Sequence, residues 1–152
     1  AFAAAAAALH RRTGGRWIIL GGARDGELAA AIAAQITAST PAAPLINLAG
    51  RTSLRELASV LKLCRVVLTN DTGPMHLAAA VGTPVVVPFG STSFELTGPG
   101  QPGDPRHRCL HTSVACRPCF LRHCPIDRRC LTGITVDQVV QAVTESLASP
   151  PS

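Results

Sequence analysis

Four short apolar runs alternate with helix-forming stretches along these 152 residues, and that alternation limits the fold more than any other feature. The runs are Arg16-Trp17-Ile18-Ile19-Leu20, Leu45-Ile46-Asn47-Leu48, Val66-Val67-Leu68 and Pro84-Val85-Val86-Val87-Pro88. They are short, largely β-branched or aliphatic, and punctuated by glycine or small polar residues, so each reads as a buried strand. Phe2 to Arg12 is mostly alanine and reads as a helix ending near Thr13-Gly14-Gly15. Glu27 to Thr37 reads as a second helix with Leu28, Ile32 and Ile36 on one face. Ser53, with Glu56 three residues on, is a capping-box pattern opening a third helix, whose buried face would be Leu54, Leu57, Val60 and Leu61. Thr135 to Leu147 closes the pattern as a helix burying Val136, Val139, Val140, Val143 and Leu147. Strands alternating with helices predict an α/β fold, a Rossmann-like parallel sheet with helices on both faces and right-handed crossovers. Ser91 to Pro105 reads as loop, the cysteine-rich segment after it shows no period, and 148–152 reads as a frayed tail. No internal repeat or domain boundary is evident.

The third strand runs straight into Thr69-Asn70-Asp71-Thr72-Gly73-Pro74-Met75-His76-Leu77-Ala78-Ala79-Ala80, a strand-turn-helix junction reaching about Val81 before Gly82-Thr83 breaks it. Open α/β sheets bind ligands at such junctions. Asp71 or Thr72 can cap the helix. Gly73 lets a ligand approach the backbone, and Pro74 suits the first helical position. The free amides there form an anion site, to which His76 can add a donor. The plainer reading is a capped helix with a surface histidine. In a doubly wound sheet the strand C-termini share one edge; here they are Gly21-Gly22, Ala49-Gly50, Asn70 to Gly73 and Phe89 to Ser91, all glycine or small polar in character. That suits a nucleotide lying along the edge. Asp25 or Glu27, after the first strand, could accept ribose hydroxyls, or could simply stabilise a helix N-terminus.

Apolar residues make up 47% of the chain and the mean hydropathy is +0.27, which argues against disorder. No apolar run is long enough to span a bilayer, and Ala3 to Ala8 lacks the flanks of a signal peptide, so a soluble intracellular domain is expected. The formal charge is +5, and six of the 14 basic residues lie between Arg106 and Arg129. They fit a solvated loop, or attraction to a polyanion such as a phosphorylated glycolipid or membrane surface. A nucleic-acid partner is not expected, because aromatics are 3% and no recognition motif is present.

Four of the six cysteines form Cys116-x2-Cys119-x4-Cys124-x5-Cys130. They allow two disulfides in an oxidising compartment, a tetrahedral thiolate shell on structural Zn2+, an iron-sulfur cluster on the same ligands, or free thiols. A loop with almost no core needs some staple, which favours the zinc site. Cys109 stands just outside, and Cys64 reads as a core residue at a helix end. No nucleophile arrangement, Walker loop or metalloprotease motif appears.

The stretch Asn70 to Ala80, followed by Gly82-Thr83-Pro84 and then Phe89-Gly90, resembles the signature of glycosyltransferase family 9, which includes the ADP-heptose:lipopolysaccharide heptosyltransferases. Cys116-Arg117-Pro118-Cys119-Phe120 is similar to a segment of the type II branch, without a known catalytic role. The resemblance covers nearly the whole chain. It implies the C-terminal, donor-binding half of a GT-B enzyme over residues 1–152, with a cysteine-rich loop over 106–133. It further implies an ADP-heptose donor, a lipopolysaccharide inner-core acceptor at the membrane surface, and a cytoplasmic bacterial enzyme, peripheral at the inner face of the inner membrane. Inversion would follow direct attack by an acceptor hydroxyl, with no cofactor required for catalysis. Asp71, Thr72, Gly73 and His76 would meet the sugar and the diphosphate. Glu27, with Asp25 second, would bind the ribose beside Gly22. Thr52 would lie near the base, and Ser91 and Thr92 would line the same edge. The family's general base lies in an N-terminal domain, and a lysine that can contact the phosphate precedes the first helix. Neither is in this sequence, which opens inside a helix. This chain alone is therefore expected to bind donor weakly and transfer nothing. The alternative expectation is a non-catalytic nucleotide- or metal-binding module centred on the cysteine loop.

Overall fold

The computed structural model describes residues 2–149, so the last three residues of the expected tail lie outside the described residues. The chain divides into two compact units, one reaching Leu57 and the other starting at Ala58.

The first unit holds α1 (Phe2–Thr13), β1 (Trp17–Ile19), a 3-10 turn over Ala23–Asp25, α2 (Gly26–Ser39) and β2 (Leu45–Asn47). Alanine gives α1 its helical preference and lets it pack closely: Ala3, Ala5, Ala6, Ala7 and Leu9 are buried. Gly14 ends it at φ +63°, with its N–H returned to the His10 carbonyl at 2.8 Å. That is the left-handed stop glycine supplies most cheaply. β1 and β2 pair in parallel, Trp17 opposite Leu45 and Ile19 opposite Asn47. Trp17, Ile19, Leu45 and Ile32 pack against a core of Ala3, Ala6 and Ile36. Side chains alternate along a strand, so Ile18 and Ile46 share the other face, where they are 38% and 56% exposed. β1 and β2 are therefore half-buried rather than buried throughout. Leu28, expected on the buried face of α2, is 64% exposed.

α3 (Leu54–Leu63) crosses from one unit's residues to the other's. Its capping box forms as read: Ser53 N–H donates to Glu56 Oε2 at 2.7 Å and Glu56 N–H to Ser53 Oγ at 3.3 Å. These bonds hold the Glu56 carboxyl below the usual range. Leu61 is buried at 1% exposure, but Leu54, in the first turn, is 73% exposed.

The second unit continues with β3 (Val67–Leu68), α4 (Gly73–Ala80), β4 (Val85–Pro88), α5 (Phe94–Thr97), β5 (Arg108–Leu110), α6 (Arg129–Thr132) and α7 (Val136–Ala148). Its sheet has the order β3-β4-β5, with both pairings parallel. Val85, Val86 and Val87 are all fully buried. Successive residues face opposite ways, so both faces of β4 are covered. α4 contributes buried Met75 and Ala78; α7 contributes Val139, Val140, Ala142 and Val143. Thr135 opens α7 with its own capping box to Gln138. Cys64 is half-buried just past α3, its Sγ 3.3 Å from the Val60 carbonyl, and burial pushes its thiol pKa up.

Two readings of the sequence are corrected here. The segment after Ser91 is not all loop, since it contains α5. The basic, cysteine-bearing stretch contains β5, which pairs Val86 with Arg108, Val87 with Cys109 and Pro88 with Leu110. β5 lacks apolar alternation because its place is set by backbone pairing to β4.

His107, at the entry to β5, has a side chain only 3% exposed. Its Nδ1 accepts from the Val85 N–H at 3.3 Å. Its Nε2 lies 3.6 Å from Asp104 Oδ2 and has no hydrogen-bond partner. Burial lowers the imidazole pKa and outweighs the Asp104 carboxylate, which raises it. A group with a depressed folded pKa contributes stability above its unfolded pKa and loses it as pH falls through the folded value. The unfolded imidazole titrates near 6.5. Melting temperature is therefore expected to fall as the pH drops from 7.5 towards 5, and His107→Gln should flatten that slope. Thermal melts of both proteins across the window check this, and parallel slopes would contradict it.

Candidate functional site

β3 delivers the chain to the junction read from the sequence, and Thr69 N–H still pairs with the Val86 carbonyl at 3.1 Å. Beyond it, Thr72 takes extended backbone angles and stands at the N-cap of α4, with Pro74 in the first turn. No side chain caps this helix. The Thr72 hydroxyl donates to the Asn70 carbonyl at 3.2 Å instead, and Asp71 turns elsewhere. The expectation that Asp71 or Thr72 caps α4 is thereby corrected: both are drawn off by other partners. The consequence favours a ligand. An uncapped N-terminus keeps its partial positive charge available to an anion.

Asp71 is half-buried and held by a residue the sequence did not flag. The Thr97 hydroxyl, at the end of α5, lies 2.9 Å from Asp71 Oδ2 and 2.9 Å from the Ser93 carbonyl. Next to it, the Ser93 hydroxyl donates to Glu95 Oε2. That bond holds the Glu95 carboxyl below the usual range, helped by Arg117 and His111. Cys109 on β5 lies close enough to Glu95 and Asp71 for both to raise its thiol pKa, although burial is the larger cause. The junction after β3 and the turn after β4 thus form one polar cluster. Ser93-Phe94-Glu95-Leu96-Thr97 carries the clue, a serine beside an acid, but it is too short for a periodic signal.

Gly73 and His76 complete the junction. A Cβ on Gly73 would meet nothing within 4 Å, and its φ is not positive. The fold therefore does not demand glycine there. His76 is exposed in the first turn while Met75 beside it is fully buried, so the imidazole is on the open side of α4. Ser91 and Thr92 are half-buried. The Ser91 carbonyl is occupied, accepting from Cys119 and Phe120 N–H at 3.0 and 2.8 Å.

The other expected residues lie in the first unit. Gly22 N–H donates to Asp25 Oδ2 at 2.7 Å, so Asp25 closes its own turn. Glu27 is exposed in the first turn of α2, and Thr52 is half-buried before α3. The exits of the two strands are tied, Gly50 N–H to the Gly21 carbonyl at 2.9 Å. Gly50 has φ +72°, and a Cβ there would sit 3.1 Å from Ala23 Cα.

The cysteine loop lies in the second unit, between β5 and α7. Among the described residues no three of His, Cys, Asp or Glu are grouped to hold a metal ion, and all six thiols are unpaired. Cys116, Cys119 and Cys124 are exposed, and Cys130 is half-buried. Cys124 Sγ takes a backbone partner, the Arg128 N–H at 3.3 Å. Backbone N–H groups of Ile126 and Arg128 lower its thiol pKa. Cys116 and Cys124 both act on the Arg129 guanidinium, whose pKa they help raise after its bonds to Asp127.

Two parallel sheets, β1-β2 and β3-β4-β5, and an open strand-to-helix junction place the chain in the class of α/β folds that take ligands at strand C-termini. The profile of glycosyltransferase family 9 (heptosyltransferase) matches residues 1–129. The chain belongs to that family. Lipooligosaccharide heptosyltransferase 2 of Campylobacter jejuni is 32% identical over 96 residues, covering 62% of this chain and 30% of the relative. Lipopolysaccharide heptosyltransferase 2 of Salmonella typhimurium is 37% identical over 82 residues, covering 54% and 23%. The solved ADP-heptose lipopolysaccharide heptosyltransferase II of E. coli superposes with a TM-score of 0.77 at 26% identity, over 96% of this chain and 40% of that one. The chain thus spans about a third of the first of these relatives. Among the described residues no helix is long and apolar enough to cross a membrane.

Proposed function

We propose that this chain is the donor-binding, C-terminal part of an inverting heptosyltransferase that moves heptose from ADP-heptose to the lipopolysaccharide inner core. The observation that carries the reading is the junction itself: an uncapped helix N-terminus at Gly73, flanked by braced Asp71 and open His76. In the reaction, an acceptor hydroxyl attacks the anomeric carbon from the face opposite the leaving group. The bond from that carbon to the diphosphate oxygen breaks, and negative charge grows on the phosphate. The α4 amides and a His76 N–H stabilise that charge. Asp71, fixed by Thr97, positions the sugar hydroxyls. Glu27 serves the ribose, because Asp25 is committed to Gly22. The family resemblance assigns Thr52 to the base, and Ser91 and Thr92 to the sugar side. The general base belongs to an N-terminal domain of the whole enzyme, so the chain alone transfers nothing. The whole enzyme works at the cytoplasmic face of the inner membrane, where its acceptor is anchored. No step uses a metal. The alternative is a non-catalytic nucleotide- or metal-binding module centred on the cysteine loop; the open junction at α4 favours the donor-binding reading over it.

Calorimetric titration with ADP, UDP and GDP tests this reading. Saturable binding with ADP preferred is the expected result. Gly73→Ala should weaken ADP binding severalfold while leaving the melting temperature unchanged or slightly raised, since the added methyl meets only open space. Equal affinity in the variant, or no nucleotide binding by the wild type, would remove the junction from the reading.

A further inference from the structure

The loop from Cys116 to Leu131 holds none of the residues proposed for the donor site, and it has a definite build. Its base is fastened to the exit of β4: Cys119 and Phe120 N–H donate to the Ser91 carbonyl, and Arg117 Nε to the Gly90 carbonyl at 3.1 Å. Arg117 also lies over the Phe94 ring, 5.5 Å from its centroid. From Cys119 to Arg129 every residue is exposed. Four of the ten exposed large apolar side chains among the described residues fall in this one segment: Phe120 at 52%, Leu121 at 50%, Ile126 at 59% and Leu131 at 43%. Single exposed apolar residues are ordinary, but such a concentration marks a contact surface.

The charge beside them has one sign. Residues 116–131 hold four arginines against one aspartate. Asp127 is neutralised within the loop by Arg129, whose Nε and Nη2 donate to its carboxylate at 2.9 and 3.0 Å. Arg117 is spent on the base. Arg122 and Arg128 have no ion pair among the described residues and stand among the apolar side chains. Phe120 and Arg128 are the two non-glycine residues there with positive φ, both 56°. Apolar side chains interleaved with unpaired cations, on a loop fixed at its base, match an anionic lipid surface: the apolar groups enter the acyl boundary while the arginines meet the headgroup phosphates. A protein partner of matching apolar shape would not call for the excess of cations.

We propose that residues 119–131 form a membrane-docking loop that seats this unit on anionic phospholipid. The inference goes beyond the transfer reaction, because it concerns where the unit is held and not what it transfers.

Co-sedimentation with vesicles tests it, using phosphatidylcholine alone and phosphatidylcholine mixed with phosphatidylglycerol. The chain should pellet with the mixed vesicles, stay in solution with the neutral ones, and be released by salt. Arg122→Ser/Arg128→Ser should reduce partitioning by roughly fivefold for each cation lost, while Arg122→Lys/Arg128→Lys should retain it. Leu121→Ser/Ile126→Ser should reduce partitioning at least about tenfold. Circular dichroism should show all variants folded, and their ADP titrations should match the wild type. Equal binding to neutral vesicles, binding that neither double variant weakens, or no vesicle binding would overturn the proposal. So would a dimer in light scattering that Leu121→Ser/Ile126→Ser dissociates, since the patch would then cover a second copy. Failure of ADP binding beside intact vesicle binding would count against the donor reading alone.

Discussion

Phe89→Ala is expected to destabilise the chain by about 3–5 kcal/mol, the range for deleting a fully buried aromatic side chain. Phe89 directly follows β4 and has no exposed surface. Its ring meets Phe94 edge-on, with centroids 6.2 Å apart and planes at 65°. Its N–H donates to the Leu110 carbonyl at 2.7 Å, a bond alanine would keep. The loss is therefore that of the side chain: apolar area returned to water, an edge contact, and a cavity beside the central strand. Phe94 begins α5, whose last residue holds Asp71. The variant should thus also loosen the polar cluster. Urea unfolding followed by circular dichroism checks the prediction, with an unchanged slope and a lower midpoint. Leu96→Ala, at 76% exposure, is the control and should change little. A Phe89→Ala loss below about 1 kcal/mol would show that the site collapses around the gap.

His76→Ala is the second large effect, here on binding rather than folding. The imidazole is on the open side of α4, and its neighbours Met75 and Ala78 are fully buried without it. Removing it costs the core nothing and gives the helix a better former. A hydrogen bond to a charged group contributes roughly 1.5–3 kcal/mol. ADP affinity is therefore expected to fall about 10- to 150-fold, with melting unchanged. His76→Asn, which keeps a donor nearby, should recover part of the loss. Calorimetry on the three proteins decides it. If His76→Ala binds ADP as tightly as wild type, the diphosphate does not sit at the N-terminus of α4.

Much of the architecture was legible in the sequence. The four apolar runs became strands, the alanine tract became α1, and Ser53 with Glu56 formed the capping box. These are local signals, settled by residues within a few positions of one another. What escaped is what depends on distant partners. β5 carries Arg108-Cys109-Leu110, a sequence with no strand pattern, and is a strand because β4 pairs with it. Leu28 and Leu54 fit their helical stripes, yet each stands in the first turn of its helix and is exposed. Asp71 and Thr72 have the chemistry of a cap, but Thr97 and the Asn70 carbonyl compete for them successfully. Thr97 and Glu95 could not be placed near Asp71 without knowing that β3 and β4 are neighbours. The cysteine spacing offers a ligand count without a geometry, because spacing alone does not fix where the side chains meet.

The sealed position of β4 carries a consequence for the order of events as the chain folds. With both faces and both edges engaged, β4 is the only strand of its sheet that two others require as a template. β5 lacks a local code, and about twenty residues of connection must close before it can pair. Its pairing depends on the surface that α4, β3 and β4 build, so late registration is the expected order. Until then the β4 edge is an open row of backbone donors and acceptors on a strand of three valines, the kind of edge that recruits foreign strands. In the finished fold, β5 and its flanking arginines serve as the guard on that edge.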